Sequence, residues 1–248
     1  MGVVAASVLS GVIVLCGIGT LFSSLGRMVP RGMVVALLVA LAVLWTIVLL
    51  KAMPTGIRVL LNIVFYFLFV VVAVPLGAGT VFFGVLDRPR NDKAVTVGST
   101  ASENKIAIVY HHGMGLFTQQ TVTKLADDLG AKGYAVTLYT ANARLALPAS
   151  SYKALVLSSP IYAAATRPPI QDFLAGNSVS GIPCFAALTG ADAGKKDSDL
   201  ATFAALVEQK GGTLTAGAKF ISTATPEQTA KEVAELAARI DDTISRRK

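Results

Sequence analysis

The chain has 248 residues, of which 53% are hydrophobic and only 15% are charged. Ordinary soluble proteins carry about 25% charged residues, so the composition excludes an ordinary soluble protein. The net charge is +7, and residues 1–100 contribute +5 of it; because this excess lies beside apolar segments and no basic stripe follows, it does not indicate nucleic-acid binding.

Three apolar segments come first, at about residues 2–22, 33–50 and 57–86. Each is long enough for a helix to cross roughly 30 Å of hydrocarbon. The sequence therefore predicts three transmembrane helices in residues 1–86, which anchor the chain in a lipid bilayer. Pro75 is expected to kink the third helix or to end it early. The first two segments hold no Asp, Glu, Lys, Arg or His, which argues against a transporter or channel.

The loops between these segments predict an orientation. An odd number of crossings puts the first loop and the C-terminal part on the same side. That side carries five basic residues and the other side carries two. The positive-inside rule then predicts a multi-pass protein of the cell membrane, with its N-terminus outside and its C-terminal domain in the cytoplasm.

Residues 87–103 are mostly polar, small or turn-forming, and are interpreted as a linker. Beyond it, in residues 104–248, short apolar runs alternate with helical stretches. The predicted strands are 105–110, 134–139, 152–159, 182–188 and 213–222. The predicted helices begin at Thr118, near Pro169, near Asp199 and, with a capping box, at Thr225. This alternation predicts an α/β fold with a five-stranded parallel, doubly wound sheet.

Ligands of such sheets bind outside the carboxyl ends of the strands, so the loops after strands one, three and four are the segments of interest. The chain has two cysteines, Cys16 and Cys184, and two histidines, His111 and His112. The cysteines have no nearby ligand-type companions and are interpreted as buried, inert thiols. The adjacent histidines lack a third ligand, so no metal site is predicted.

Three segments resemble the flavodoxin family: KIAIVY at 105–110, YKALVLSSPIYAAATRPPIQDFL at 152–174 and IPCFAALTG at 182–190. The Ser159-Pro-Ile-Tyr162 stretch and the strand before it are the closest match. The resemblance covers roughly residues 104–245 and implies a flavodoxin-like fold. It also implies FMN as the cofactor, electron transfer or quinone reduction as the function, and a membrane quinone or a redox protein as the partner.

Carried over to this chain, the resemblance implies that FMN is bound by three loops. Their residues are His111, His112, Gly113, Met114, Gly115, Leu116, Phe117 and Thr118, then Ser159, Pro160, Ile161 and Tyr162, then Thr189, Gly190, Ala191 and Asp192. A Gly-containing loop that enters a helix offers N–H groups and a positive dipole end to a phosphate.

The first loop departs from the family's Ser/Thr-x-Thr-Gly-x-Thr pattern. If Gly115 is aligned with the family glycine, His112 and Met114 stand where hydroxyl residues are expected. Only Thr118 remains, one residue beyond the expected last hydroxyl. Each lost hydrogen bond to a charged group costs roughly 1.5–3 kcal/mol. His112 either compensates as a donor or faces water in a simple turn. Tyr162 either stacks on a flavin ring or packs at the base of its loop.

Two further functions stay open at this point. The first is a flavodoxin-shaped binding or scaffold module that has lost FMN, which the missing hydroxyls favour. The second is a regulatory membrane subunit that binds another anion through the histidine loop.

Overall fold

The structure is a computed structural model that describes residues 56, 59, 60, 87, 88, 92–162 and 165–247. Apart from positions 59 and 60, the predicted transmembrane segments lie outside the described residues. Among the described residues, no helix combines the length and apolar character needed to cross a bilayer. The chain divides into two compact units, Met1–Leu86 and Asp87–Lys248, and the second contains the α/β domain.

The domain contains eight strands and four α-helices within the described residues. The strands are β1 (Val95–Val97), β2 (Lys105–Tyr110), β3 (Ala135–Thr140), β4 (Ala154–Ser158), β5 (Ile161–Tyr162), β6 (Ala165–Thr166), β7 (Pro183–Gly190) and β8 (Thr213–Ile221). The helices are α1 (Phe117–Ala131), α2 (Pro168–Gly176), α3 (Lys196–Glu208) and α4 (Pro226–Ser245).

The main sheet has the strand order β1-β3-β2-β4-β7-β8. Strands β3, β2, β4, β7 and β8 pair in parallel with their neighbours. Counted along the chain, these five follow the order 2-1-3-4-5, which is the flavodoxin-like variant of the doubly wound fold. The predicted parallel α/β sheet is therefore confirmed.

The prediction of only five strands is wrong, because β1 forms a sixth strand at the edge of the sheet. It lies in the segment interpreted as a linker and runs antiparallel to β3, with Val95 opposite Leu138 and Val97 opposite Val136. Its three residues are too few to produce a periodic apolar pattern. Strands β5 and β6 have two residues each and pair antiparallel as a separate small sheet. They are likewise too short to predict.

Helices cover both faces of the sheet, as the alternation predicts. The core on one face contains side chains of α1 and α4, and the core on the other contains side chains of α2 and α3. The apolar stripes predicted for two helices are buried and confirmed: Val122, Leu125, Ala126 and Leu129 in α1, and Val233, Leu236, Ala237, Ile240 and Ile244 in α4. The predicted capping box between Thr225 and Gln228 is also present.

Candidate functional site

A cavity of about 460 Å³ lies where the loops after β2, β4 and β7 meet. This volume falls within the roughly 300–1,000 Å³ of small-molecule pockets. The predicted site residues that line it are Met114, Phe117, Thr118, Pro160, Ile161, Tyr162, Thr189, Gly190, Ala191 and Asp192. The three loops selected from the sequence thus contribute to one cavity, because parallel strands end at the same edge of the sheet.

The other predicted site residues lie outside the lining of this cavity: His111, His112, Gly113, Gly115, Leu116 and Ser159. The Ser159 hydroxyl is buried, accepts a hydrogen bond from the Arg167 backbone N–H at 3.1 Å and donates to the Pro160 carbonyl at 3.1 Å. It therefore links the chain before β5 to the chain after β6.

The start of α1 has features that suit an anion. Gly113 and Gly115 have φ values of +70° and +73°, a left-handed conformation that turns the chain sharply before the helix. The N-cap residue Leu116 makes no side-chain capping hydrogen bond, and the first turn of α1 contains no acidic residue. The amides of this turn carry the positive end of the helix dipole without a carboxylate nearby in the sequence.

Tyr162 spans the space between the first and second loops. Its hydroxyl accepts a hydrogen bond from the Met114 backbone N–H at 2.6 Å. The guanidinium carbon of Arg167 lies 5.6 Å from the centroid of the Tyr162 ring, within the range of a cation–π contact. The Met114 amide, a donor that a bound anion would use, therefore already donates to the Tyr162 hydroxyl.

The one hydroxyl that remains in the first loop, that of Thr118, also has a partner inside the protein. The hydroxyls of Thr118 and Thr189 lie 2.8 Å apart, and both residues are buried. This hydrogen bond joins the start of α1 to the end of β7. It positions two of the loops against each other across the cavity wall.

The histidines do not face water, so the solvent-facing interpretation of this loop is wrong. His111 and His112 are 4% and 5% exposed. The Nε2 atom of His112 lies 2.7 Å from Asp92 Oδ2, and its ring centroid lies 4.9 Å from that of Tyr110. Asp92 belongs to the predicted linker, where no sequence pattern indicates a partner for His112. Among the described residues, no three His, Cys, Asp or Glu side chains group as metal ligands would.

The sequence missed four residues that line the cavity: Lys195, Asp199, Lys219 and Ser222. Lys219, in β8, is 3% exposed, and its Nζ donates to Asp199 Oδ2 at 2.5 Å and to the Asp192 carbonyl at 2.7 Å. The only available signal was a lysine next to the apolar end of a strand, followed by Phe220 and Ile221. Such a lysine normally marks a solvated edge.

A second buried ion pair lies behind Tyr162. Arg167 is fully buried and binds Asp87 at two points, with Nε–Oδ1 at 2.7 Å and Nη2–Oδ2 at 2.5 Å. Paired parallel hydrogen bonds of this kind are the strongest arginine–carboxylate geometry. Asp87 lies in the predicted linker and is the first residue of the domain unit. This pair therefore connects the beginning of the unit to the edge of the cavity.

Cys184 is fully buried in β7, which confirms the interpretation of this thiol as buried. Burial raises the pKa of Cys184 to about 11. Because the thiolate is the reactive form, Cys184 is unsuited to nucleophilic or redox chemistry at neutral pH.

No family model matches this chain, and no curated protein matches it either. Among solved structures, a flavodoxin from the domain Archaea has a TM-score of 0.44 at 14% identity, covering 57% of this chain and 99% of its own. A Streptococcus pneumonia TIGR4 flavodoxin has a TM-score of 0.46 at 16% identity, covering 56% of this chain and 99% of its own. The rubredoxin oxygen:oxidoreductase of Desulfovibrio gigas has a TM-score of 0.43 at 15% identity, with 69% of this chain and 40% of that one covered. The flavodoxin-like description of the fold rests on the strand order of the sheet itself.

Proposed function

We propose that the α/β domain binds FMN in the 460 Å³ cavity and acts in electron transfer or quinone-linked reduction. The observation that carries this proposal is the meeting of three loops, from the carboxyl ends of β2, β4 and β7, around one cavity. FMN, when bound, supplies the ability to accept and pass on electrons. The protein contributes binding, orientation and electrostatics.

The residues of the cavity suit a ligand with an anionic end and an aromatic ring. The uncapped start of α1 offers amide donors and a positive dipole end to a phosphate. Tyr162, Pro160 and Ile161 offer an aromatic and apolar wall to a ring. The loop Thr189–Asp192 supplies backbone polar groups on another side. The donor set therefore fits FMN, with fewer hydroxyls than the family pattern contains.

The proposal includes a membrane tether formed by the three apolar segments of residues 1–86, with the α/β domain in the cytoplasm. Tethering would raise the local concentration of the domain near its partner, a membrane quinone or a membrane-bound redox protein. Its support is the length of the apolar segments and the distribution of basic residues. Extraction of membranes with alkaline carbonate tests the tether, and release of the chain into the supernatant would contradict it.

A second candidate function is a binding or scaffold module without FMN, and two contacts favour it. The Tyr162 hydroxyl occupies the Met114 amide at 2.6 Å, and the Thr118 and Thr189 hydroxyls pair with each other at 2.8 Å. Donors that a phosphate would use are thus engaged within the protein. A phosphate that used the Met114 amide would have to displace the Tyr162 hydroxyl.

The substitution Tyr162→Phe separates the two functions because it keeps the ring and removes the competing hydroxyl. Full-length protein is titrated with FMN and with riboflavin, which lacks the phosphate, by calorimetry and flavin fluorescence. A net hydrogen bond is worth about 0.5–1.5 kcal/mol, and 1.4 kcal/mol is tenfold. Tyr162→Phe is therefore expected to bind FMN roughly two- to tenfold more tightly, with riboflavin affinity unchanged.

Tyr139→Phe is the matched control, because the Tyr139 hydroxyl bonds to that of Tyr152 at 2.7 Å and does not line the cavity. This variant is expected to bind FMN as the wild type does. If the wild type and Tyr162→Phe both fail to bind FMN at saturating concentration, the redox function is wrong and the scaffold function takes its place.

A further inference from the structure

The wall of the cavity contains a buried charged pair that the proposed function has not used. Lys219 and Asp199 are 3% and 5% exposed, and both line the cavity. Their charged groups are 2.5 Å apart, and the Lys219 ammonium also donates to the Asp192 carbonyl at 2.7 Å. Lys219 is therefore fixed by two contacts beside the loop that follows β7.

Stability alone does not account for such a pair. Removing two charges from water costs free energy, and replacing a buried ion pair by apolar residues of similar volume is often neutral or stabilising. Ionisable groups buried together in a cleft are instead typical of functional sites. The position of this pair in the wall of the cavity where three loops meet suggests a role toward the ligand.

The geometry leaves part of the Lys219 ammonium available to a ligand. An ammonium has three N–H donors, and two of them are directed at Asp199 and Asp192. Gly190 lies against the same side chain: a Cβ placed there would be 3.0 Å from Lys219 Cε and 3.5 Å from Nζ. The glycine thus keeps side-chain atoms away from the ammonium where the loop borders the cavity.

We propose that Lys219 stabilises negative charge on the ring of the bound flavin and that Asp199 opposes it. This inference rests on the proposed function. Adding two electrons and one proton to the neutral oxidised ring leaves it with one negative charge. An ammonium in the cavity wall favours that charged form, and a neighbouring carboxylate disfavours it. Lys219 and Asp199 together therefore set the reduction potential of the bound cofactor.

The test compares Lys219→Met with Asp199→Asn in the full-length protein. Both variants break the same 2.5 Å contact, so a purely structural role predicts changes in the same direction. An electrostatic role predicts opposite directions. Lys219→Met is expected to weaken binding of reduced relative to oxidised FMN at least tenfold, which lowers the two-electron potential by about 30 mV. Asp199→Asn is expected to raise the potential by a similar amount.

The readouts are the dissociation constant for oxidised FMN and the potential at equilibrium with a reference dye, with dithionite as the reductant. The double variant Lys219→Met/Asp199→Asn replaces the pair by neutral side chains. Its two-electron potential is expected to lie between those of the single variants. If Lys219→Met does not fold, Lys219→Gln removes the charge while keeping donors. Lys196→Met is the control, since Lys196 pairs with Glu232 at 2.7 Å outside the cavity lining, and its potential is expected to match the wild type.

The outcomes separate this inference from the proposed function. If the wild type binds FMN and both single variants shift the potential in the same direction or not at all, this inference is overturned and the proposed function stands. If the wild type does not bind FMN, the proposed function fails and this inference fails with it.

Discussion

Gly113 determines how closely the first and second loops approach each other. With its φ of +70°, a Cβ at this position would lie 2.7 Å from Pro160 Cγ and 2.8 Å from the Tyr162 hydroxyl. Gly115 has nearly the same φ, +73°, but a Cβ there would meet nothing within 4 Å. The two glycines therefore share a backbone conformation and differ in their surroundings.

This difference predicts unequal effects of the same substitution. Gly115→Ala is expected to lower the free energy of unfolding by about 1–2 kcal/mol, which is the cost of a left-handed non-glycine residue. Gly113→Ala adds a clash with Pro160 and Tyr162 and is expected to cost about 1–3 kcal/mol more. Hydrogen exchange of amides in β2 and β4 measures both values. Equal losses in the two variants would contradict the close approach of the loops.

At individual positions, the sequence identified the loops but not the partners of their side chains. Tyr162 and Thr118 were predicted to belong to the cavity, and they line it. Their bonds to Met114 and Thr189 depend on distances between segments far apart in sequence, which no local pattern encodes. Lys219 was missed for a related reason: its burial depends on Asp199, which lies in a different element.

Among the elements, the strands with long apolar runs were predictable and the short ones were not. Strands β2, β4 and β7 are buried on both faces, so their residues form continuous hydrophobic runs. Strand β1 has only three residues, with exposed Val95 and Thr96, and its pairing with β3 defines it. Pairing of an edge strand is a tertiary property, and a polar segment such as 87–103 gives no sign of it.

Helix α4 is joined to the start of β3 by a hydrogen bond that depends on pH. The Tyr134 hydroxyl donates to Asp241 Oδ1 at 2.7 Å. Burial, which is the larger cause, and the Asp241 carboxylate, which is the smaller, raise the pKa of Tyr134 from 10.0 to about 12. Between these two values the unfolded chain loses the phenol proton before the folded chain does. The stability linked to Tyr134 is therefore present below pH 10 and is lost as the pH rises toward 12.

Tyr134→Phe is expected to cost about 1 kcal/mol at pH 7 through loss of the hydrogen bond. It is also expected to reduce the fall in stability between pH 10 and 12. Burial also raises the pKa of Tyr152, so part of the alkaline loss should remain. Thermal unfolding at closely spaced pH values measures this effect, and an unchanged alkaline slope in the variant would contradict the coupling of Tyr134 to Asp241.

For the domain as a whole, residues 87, 88 and 92–97, here called the strap, contact the rest of the fold at three points. Asp87 binds Arg167, Asp92 binds His112, and β1 pairs with β3. Arg167 contacts the Tyr162 ring, and His112 lies two residues before Met114. The strap therefore contacts residues behind both loops that meet at the Tyr162 hydroxyl. It connects the beginning of the domain to the geometry of the cavity.

Replacing the two acidic residues of the strap, Asp87 and Asp92, by asparagine is expected to destabilise the domain to different degrees. Asp87→Asn removes a carboxylate that pairs with the fully buried Arg167 guanidinium, and breaking a buried pair costs about 3–5 kcal/mol. Asp92 has a side chain that is 51% exposed, so Asp92→Asn is expected to cost less than about 1 kcal/mol.

Hydrogen exchange of β4 and β7 amides in the full-length protein compares the stability losses of the two variants. Because Arg167 also contacts the Tyr162 ring, Asp87→Asn should loosen protection of the Met114 amide, and Asp92→Asn should affect it less. Equal protection of β4, β7 and Met114 in the two variants would mean that the strap does not organise the cavity.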